Sequence, residues 1–262
     1  MRPLVELEPE NARRLRGLIF DLDGTVLSDG RLTRDAFGAL WNMADAGLRL
    51  IACTGRSAGW GEVVARQWPV DAAIAENGAI AYARKGAGLQ RIDRLCAEDR
   101  AARRTKLQAI VAQIRARFED AVLADDNHPR LTDTTFDIGE TQRLPHARVQ
   151  EIRRAAEALG ARTCASSIHL HLTLDSDDKA TGSMRTLREL FAEDEVSCRR
   201  HYAFVGDSSN DAPCFAAFET TFGVANIRPF VPRLTIPPRF VTTAAAGEGF
   251  AELASALLDH RA

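Results

Sequence analysis

The apolar run from Leu15 to Phe20 ends in two carboxylates spaced i, i+2, Asp21 and Asp23, and Gly24 follows at once. An apolar run of this length, closed by turn residues, is the pattern of a buried strand. At the carboxyl end of a parallel strand the chain opens into the crevice where α/β sheets bind ligands. Two acids held so close repel each other, and a cation between them resolves the repulsion; oxygen ligands suit hard Mg²⁺. Asp-x-Asp-Gly also suits a plain turn, in which Asp and Gly do turn chemistry, so the rest of the chain has to decide.

The pattern repeats. Thr33 can cap a helix to about Ala46, with Phe37, Leu40, Trp41 and Ala44 on one face and Gly47 as the stop. Leu48–Cys53 reads as a second buried strand and ends in Thr54-Gly55-Arg56-Ser57. There a hydroxyl, free backbone N–H groups and a helix start suit an anion. A helix to about Gln67 and a strand over 72–75 follow, closed by Glu76-Asn77-Gly78. Strand and helix in alternation imply a parallel sheet with right-handed crossovers.

Near Ala83 the texture changes. Residues 84–95 are rich in Arg and Gly and poorly periodic, after a lead-in at 1–14 that is polar and Pro-punctuated. Helices are expected over about 99–118 and 146–159, with short strands over 121–124, 130–133, 135–138 and 161–165. Residues 168–174 alternate strictly: Ile168, Leu170, Leu172 and Leu174 face one way, and Ser167, His169, His171 and Thr173 the other. The polar face is either solvated or the roof of a cleft. This block reads as an inserted α+β domain, 84–177, between two parts of a doubly wound core, 1–83 and 178–262. After it, Asp178-Lys179 opens a helix. The apolar strand 202–205 ends in Gly206-Asp207-Ser208-Ser209-Asn210-Asp211, strands follow near 221–225 and 240–242, and a helix covers about 248–259.

Composition narrows the function. Formal net charge is −2, which argues for no nucleic acid and no anionic membrane surface. No apolar run approaches the roughly 18 residues of a membrane span and no signal-peptide pattern is present, so a soluble, cytoplasmic protein is expected. Cys53, Cys96, Cys164, Cys198 and Cys214 lack the spacing of disulfide frameworks or zinc sites. Lysine occurs only at Lys85, Lys106 and Lys179 among many arginines. At position 179 a compact ammonium fits beside carboxylates where a guanidinium fork would not.

Asp21-Leu22-Asp23-Gly24-Thr25, Thr54 after an apolar strand, Lys179 at a helix start, and Gly206-Asp207-Ser208-Ser209-Asn210-Asp211 together resemble the four signatures of the haloacid dehalogenase superfamily of phosphotransferases. The long insertion between the Thr and Lys stations is similar to the class II cap branch, which includes Cof-like phosphatases, sucrose-phosphatase and mannosyl-3-phosphoglycerate phosphatase. One departure is Ala180-Thr181-Gly182 after Lys179, where Lys-Gly is commoner.

The resemblance implies a Rossmann-like core and a Mg²⁺-dependent phosphatase for a small phosphate ester, most simply a sugar phosphate. The chemistry of the residues agrees, because phosphoryl transfer needs an in-line nucleophile, a metal and positioned cations. Asp21 would attack phosphorus, and Asp23 would protonate the leaving alkoxide and then deprotonate water. Asp21, Asp23 (through its carbonyl), Asp207 and Asp211 would hold Mg²⁺. Thr54, Gly55, Lys179 and Asn210 would bind phosphoryl oxygens, and Arg56, Asn77, His169 and His171 would contact substrate. Hinges near Ala83 and Asp177 would let the cap close. A phosphosugar mutase would use the same aspartates. A phosphorylated receiver lacks the second acid and the insertion, and a non-catalytic phosphate-binding scaffold gains nothing from Asp23. Oligomeric state is left open.

Overall fold

A computed structural model describes residues 1–166 and 168–261. Its centre is a nine-stranded sheet. In spatial order the strands are Arg2–Pro3, Phe240–Val241, Thr220–Gly223, Tyr202–Gly206, Gly17–Phe20, Arg49–Cys53, Ala72–Ala75, Ile80–Lys85 and Gly88–Asp93. The first seven run parallel, and the last two add an antiparallel hairpin at the edge.

The strand order diverges from Gly17–Phe20, so the crevice between it and Tyr202–Gly206 is the switch point of the sheet. Register places the functional loops there: Phe20 pairs with Val205 on one side and with Ala52 on the other. Asp21, Thr54 and Asp207 therefore emerge at one edge.

Alternation along the central strands splits the core in two. Leu18, Phe20, Leu50 and Ala52 face the helices Arg34–Asp45, Ala58–Gln67 and Ala246–Asp259. Ile19, Ile51 and Cys53 face Lys179–Phe191, Glu195–His201 and Ala212–Ala217. Each fully buried large apolar side chain contributes about 1.5–3 kcal/mol, and the two layers fix the strand ends that carry the acids. Thr33 caps the first of these helices by accepting from the Ala36 N–H at 3.3 Å. Asp178 and Thr181 form a reciprocal capping box at the helix that begins with Lys179.

Between Asp93 and Lys179 the chain builds a second unit. A three-stranded antiparallel sheet, Arg162–Ala165, His169–Thr173 and Asp133–Asp137 in spatial order, is covered by the helices Ala97–Arg117 and His146–Ala158. Leu107, Ile110, Ile114, Phe136, Ile152 and Leu170 form its core. The alternation over 168–174 is real for the described residues: Leu170 and Leu172 enter that core, and His169 and His171 face away from it. Ser167 lies outside the described residues.

Several expectations are corrected. Residues 84–93, assigned to the insertion on texture, pair into the core sheet, so the first crossing falls beyond Asp93 rather than near Ala83. The strand candidates 130–133 and 135–138 are one strand, Asp133–Asp137, and 121–124 contributes only a single bridge, Leu123 to Phe136. The N-terminal residues are not a loose lead-in, because Arg2–Pro3 pairs with Phe240–Val241. Trp41 is exposed; the buried stripe of its helix is Ala36, Ala39, Leu40 and Met43.

The two crossings are laced together by charge. Arg100 donates to Asp93, at 3.0 and 2.6 Å, and also to Asp175, while Arg103 reaches Asp175 at 2.8 Å. Asp177 pairs with Arg94 and Arg185. Among the described residues no helix is long and apolar enough to cross a membrane.

Candidate active site

Asp21 leaves the central strand with its N–H donated to the Val205 carbonyl at 3.0 Å, which aims its side chain into the crevice. It is 4 % exposed, and Lys179, buried to 1 %, places Nζ 2.7 Å from Asp21 Oδ1 and 2.7 Å from Asp211 Oδ1. The second Asp211 oxygen accepts the N–H groups of Asp207 and Ser208, at 3.0 and 3.1 Å, and so shapes the loop that presents Asp207.

Asn226 donates to both Asp207 Oδ2 and the Gly24 carbonyl at 2.9 Å, tying the two acidic loops together. Gly24 is required here. Its φ is +75°, and a Cβ would lie 2.4 Å from Asp207 Oδ2.

Oxygens of Asp21, Asp207 and Asp211 lie within 4.8 Å of one another. Fully ionised, three carboxylates against one ammonium would leave an excess of two negative charges in a buried space. Burial, with Asp211 and Asp207 adding to it, drives Asp21 well above the ordinary carboxylate range against the pull of Lys179. Burial and then Asp211 push Asp207 up to about 7. Burial opposes the Lys179 charge, but Asp21 and Asp211 outweigh it and hold its proton firmly. A hard divalent cation relieves this excess and finds only oxygen donors, so the residues fit Mg²⁺.

Asp23 does not join this cluster with its carboxylate. Arg56 takes both of its oxygens, from Nε at 2.8 Å and Nη2 at 2.6 Å. Arg56 in turn lies over the Trp60 ring, 4.3 Å from its centroid.

The loop after Cys53 is held by its carbonyls. Asn77 N–H donates to the Thr54 carbonyl at 3.0 Å and Glu76 N–H to that of Arg56 at 2.9 Å, while Arg130 reaches the Gly55 carbonyl at 3.1 Å. Thr54 Oγ1 accepts the Arg56 N–H at 3.1 Å, leaving its hydroxyl proton to donate elsewhere. Asn210 Oδ1 accepts from the Ser208 hydroxyl at 2.7 Å, which fixes its amide at the rim.

Both units line one cleft of about 1360 Å³, and Asp21, Asp23, Arg56, Asn210, His169 and His171 all face it. His169 Nε2 lies 2.8 Å from Glu140 and His171 Nδ1 lies 2.8 Å from Asp133. Burial keeps His171 below its ordinary pKa despite Asp133. Asn77, in the left-handed region at φ 55°, brings its amide 3.4 Å from His171.

Sequence reasoning passed over three residues that build this site. Asn226 joins the acidic loops. Glu76 is buried and accepts from the N–H groups of Ala58, Leu131, Thr132 and Asp133 and from the Thr132 hydroxyl. Burial and the neighbouring Asp133 push its carboxyl up to about 7 against those bonds. Arg130 pairs with Asp126 and Asp133 with no exposed side-chain surface. The only local signal is the Arg130–Asp133 spacing of i, i+3.

Residues 18–98 match the family model of haloacid dehalogenase-like hydrolases. Solved structures of the same fold include a protein of Thermoplasma acidophilum, 19 % identical with a TM-score of 0.74 over 93 % of this chain and 98 % of that one. Sucrose-phosphatase from Synechocystis sp. PCC6803, solved with sucrose and phosphate, is 18 % identical with a TM-score of 0.66 over 94 % and 98 %. A subclass IIB sugar phosphatase is 15 % identical with a TM-score of 0.63 over 92 % and 98 %. At these identities the likeness is one of fold. No curated protein matches the chain in sequence.

Proposed function

We propose, from the match of residues 18–98 to haloacid dehalogenase-like hydrolases and from the shared fold, that the chain belongs to that family and is a Mg²⁺-dependent phosphatase for a small phosphorylated metabolite, most simply a sugar phosphate. The observation that carries the reading is the Asp21 carboxylate, buried at the strand end within 2.7 Å of Lys179, with the carboxylate of Asp23 two residues on in the same cleft.

An Asp21 oxygen attacks phosphorus, and the bond to the ester oxygen breaks. The leaving alkoxide takes a proton from Asp23 and departs as the alcohol, leaving an aspartyl-phosphate. Asp23, now a carboxylate, removes a proton from water as the water oxygen attacks phosphorus, and inorganic phosphate and the Asp21 carboxylate are released. Thr54 Oγ, the Gly55 N–H, Lys179 Nζ and Asn210 would donate to the phosphoryl oxygens. Lys179 also pulls Asp21 toward its ionised form against the burial that raises its pKa, and a bound cation would pull further in the same direction. Mg²⁺, held by Asp21 and Asp207 with Asp211 in support, would neutralise charge on the phosphoryl group.

The sugar reading rests on the upper cleft, lined by Glu140, Ser166, His169 and His171, whose polar groups suit hydroxyl groups. The sugar phosphatases of the same fold point the same way. In this reading the core, 1–83 with 178–262, carries the chemistry, joined by the hairpin strand that reaches Asp93. The rest of the insertion to 177 selects the substrate.

Phosphate release, measured with Mg²⁺ and with EDTA over para-nitrophenyl phosphate, hexose and disaccharide phosphates, phosphoglycerate derivatives and nucleotides, tests the proposal. Mg²⁺-dependent release led by one sugar phosphate is expected. Isomerisation without release would assign a mutase instead, and no turnover of any phosphate ester would overturn the reading.

A further inference from the structure

Three consecutive carbonyls hold the loop at Thr54-Gly55-Arg56 in shape, and the middle one takes its partner from outside the core. Asn77 and Glu76, both core residues, bind the Thr54 and Arg56 carbonyls. The Gly55 carbonyl is bound by Arg130 Nη1 at 3.1 Å, from the second unit. The same nitrogen donates to both Asp133 oxygens, at 2.9 and 3.0 Å, while Nε and Nη2 grip Asp126 at 3.0 and 2.6 Å. Asp133 also receives the His171 Nδ1–H, and the Asn77 side chain packs alongside, its amide nitrogen 3.4 Å from that ring nitrogen and its oxygen 3.0 Å from where a Gly55 Cβ would lie. Gly55, Arg130, Asp133, His171 and Asn77 thus form a ring of neighbours across both units, whose hydrogen bonds run from Gly55 through Arg130 and Asp133 to His171.

The ring has a chemical direction. With Nδ1 facing the Asp133 carboxylate, the His171 proton sits on Nδ1 and Nε2 offers its lone pair. His171 therefore reads a hydrogen-bond donor, such as a hydroxyl, in the cleft above. At the other end, the Gly55 carbonyl shares one peptide plane with the Arg56 N–H, which donates to Thr54 Oγ1 at 3.1 Å, so the Arg130 bond fixes the plane that orients the Thr54 hydroxyl. The Gly55 N–H has no protein acceptor among the described residues.

We propose that Arg130 is a positioning residue, which orients the phosphate-binding loop through the Gly55 carbonyl and couples that orientation to the roof through Asp133 and His171. This rests on the phosphatase reading for the identity of the loop's ligand. It departs from a cap that merely covers the site, because the second unit supplies part of the loop's support. The cost of losing the bond is one of placement, and a displacement of about 1 Å at a reacting group is enough for on the order of 10²-fold in rate.

Arg130→Lys in the full chain keeps a cation between Asp126 and Asp133 but cannot also hold the Gly55 carbonyl in the forked arrangement. With Mg²⁺ present, we expect the variant to bind inorganic phosphate at least about tenfold more weakly by calorimetry and to lose about tenfold or more in kcat with para-nitrophenyl phosphate. That small aryl ester need not touch His171, so a role confined to the roof would leave both readouts unmoved. A role confined to stability would lower Tm and also leave them unmoved. A folded variant whose phosphate affinity and kcat stay within twofold of the parent overturns the proposal. Should the lysine variant not fold, Asp133→Asn, which slackens the same ring, carries the same comparison with the same deciding outcomes. Phosphate binding is read without turnover. A parent that binds phosphate and hydrolyses nothing therefore sinks the phosphatase reading alone, and a variant that binds it like the parent sinks this one alone.

Discussion

Arg56 closes Nε and Nη2 on the two oxygens of Asp23, at 2.8 and 2.6 Å, while its guanidinium carbon lies 4.3 Å from the Trp60 ring centroid. The fork fixes the direction in which Asp23 points, and the indole fixes the fork. Arg56, expected from sequence among the substrate contacts, is thus committed first to the proposed acid. Arg56→Lys keeps the charge and loses the planar fork. The expected result depends on the leaving group: kcat falls about 10–10²-fold for a sugar phosphate, which needs a proton, and by less than about threefold for para-nitrophenyl phosphate, which does not. Equal losses on both esters would show that Arg56 serves the phosphoryl group instead.

Asp21→Asn removes the nucleophile and keeps its volume. Phosphate release should fall to background, with circular dichroism unchanged. Acid-quenched phosphorylated protein, found with the parent, should be missing. Residual turnover above a hundredth of the parent would reassign the attack.

Lys179 is the sole cation within hydrogen-bond reach of the buried Asp21 and Asp211 carboxylates among the described residues. Lys179→Met leaves two acids facing each other out of water. Removing one partner of such a buried group costs about 3–5 kcal/mol, so urea unfolding in EDTA should show a loss of that order. Saturating Mg²⁺, by binding the folded state, should return part of it. An unchanged midpoint would mean that the acids are not charged in the folded protein.

Asp133 gives a pH signature. Burial would raise its carboxyl, but Arg130 and then His171 outweigh it and hold it down at about 2. Between about pH 4 and 2 the unfolded chain takes up a proton that the folded one refuses. This stabilisation is therefore present above about pH 4 and lost as the pH falls toward 2. Asp133→Asn should be less stable than the parent at neutral pH, and the gap should narrow through that window. A gap independent of pH would assign the loss to packing.

Gly24→Ala should act on the metal. A side chain at φ +75° costs about 1–3 kcal/mol, and its Cβ meets Asp207 Oδ2. The melting shift produced by Mg²⁺ should shrink at least by half, and an undiminished shift would place the metal away from Asp207.

The four polar stations were legible because each is written locally, as a strand end followed by turn or cap residues. Nothing long-range is needed to see that Asp21 and Asp23 leave one strand or that Lys179 opens a helix. The partners were not legible. Asn226 meets Gly24 across 202 residues, Arg130 meets Gly55 across 75 and Glu76 meets Leu131 across 55. Such contacts have no period in the chain. The hairpin over 80–93 was obscured for a different reason. Its outer strand is a sheet edge carrying Gly, Arg and Gln, so its burial pattern is weak and its apolar alternation hard to see. At Trp41 a large aromatic at a helical spacing suggests burial, whereas small Ala36 and Ala39 let the helix pack close and leave Trp41 exposed.

The point where the chain leaves the large sheet and the point where it returns are pinned to each other by Arg100, which holds Asp93 and Asp175 at once. Everything between them is framed by that one guanidinium. Arg100 stands in the first turns of the inserted helix Ala97–Arg117, so a segment that keeps it can change beyond that point and still hand the chain back in register for Lys179. On the proposed reading, reactivity and the choice of diet would then be inherited on separate stretches of gene, with the ring at Gly55 as a seam where a newcomer must still fit.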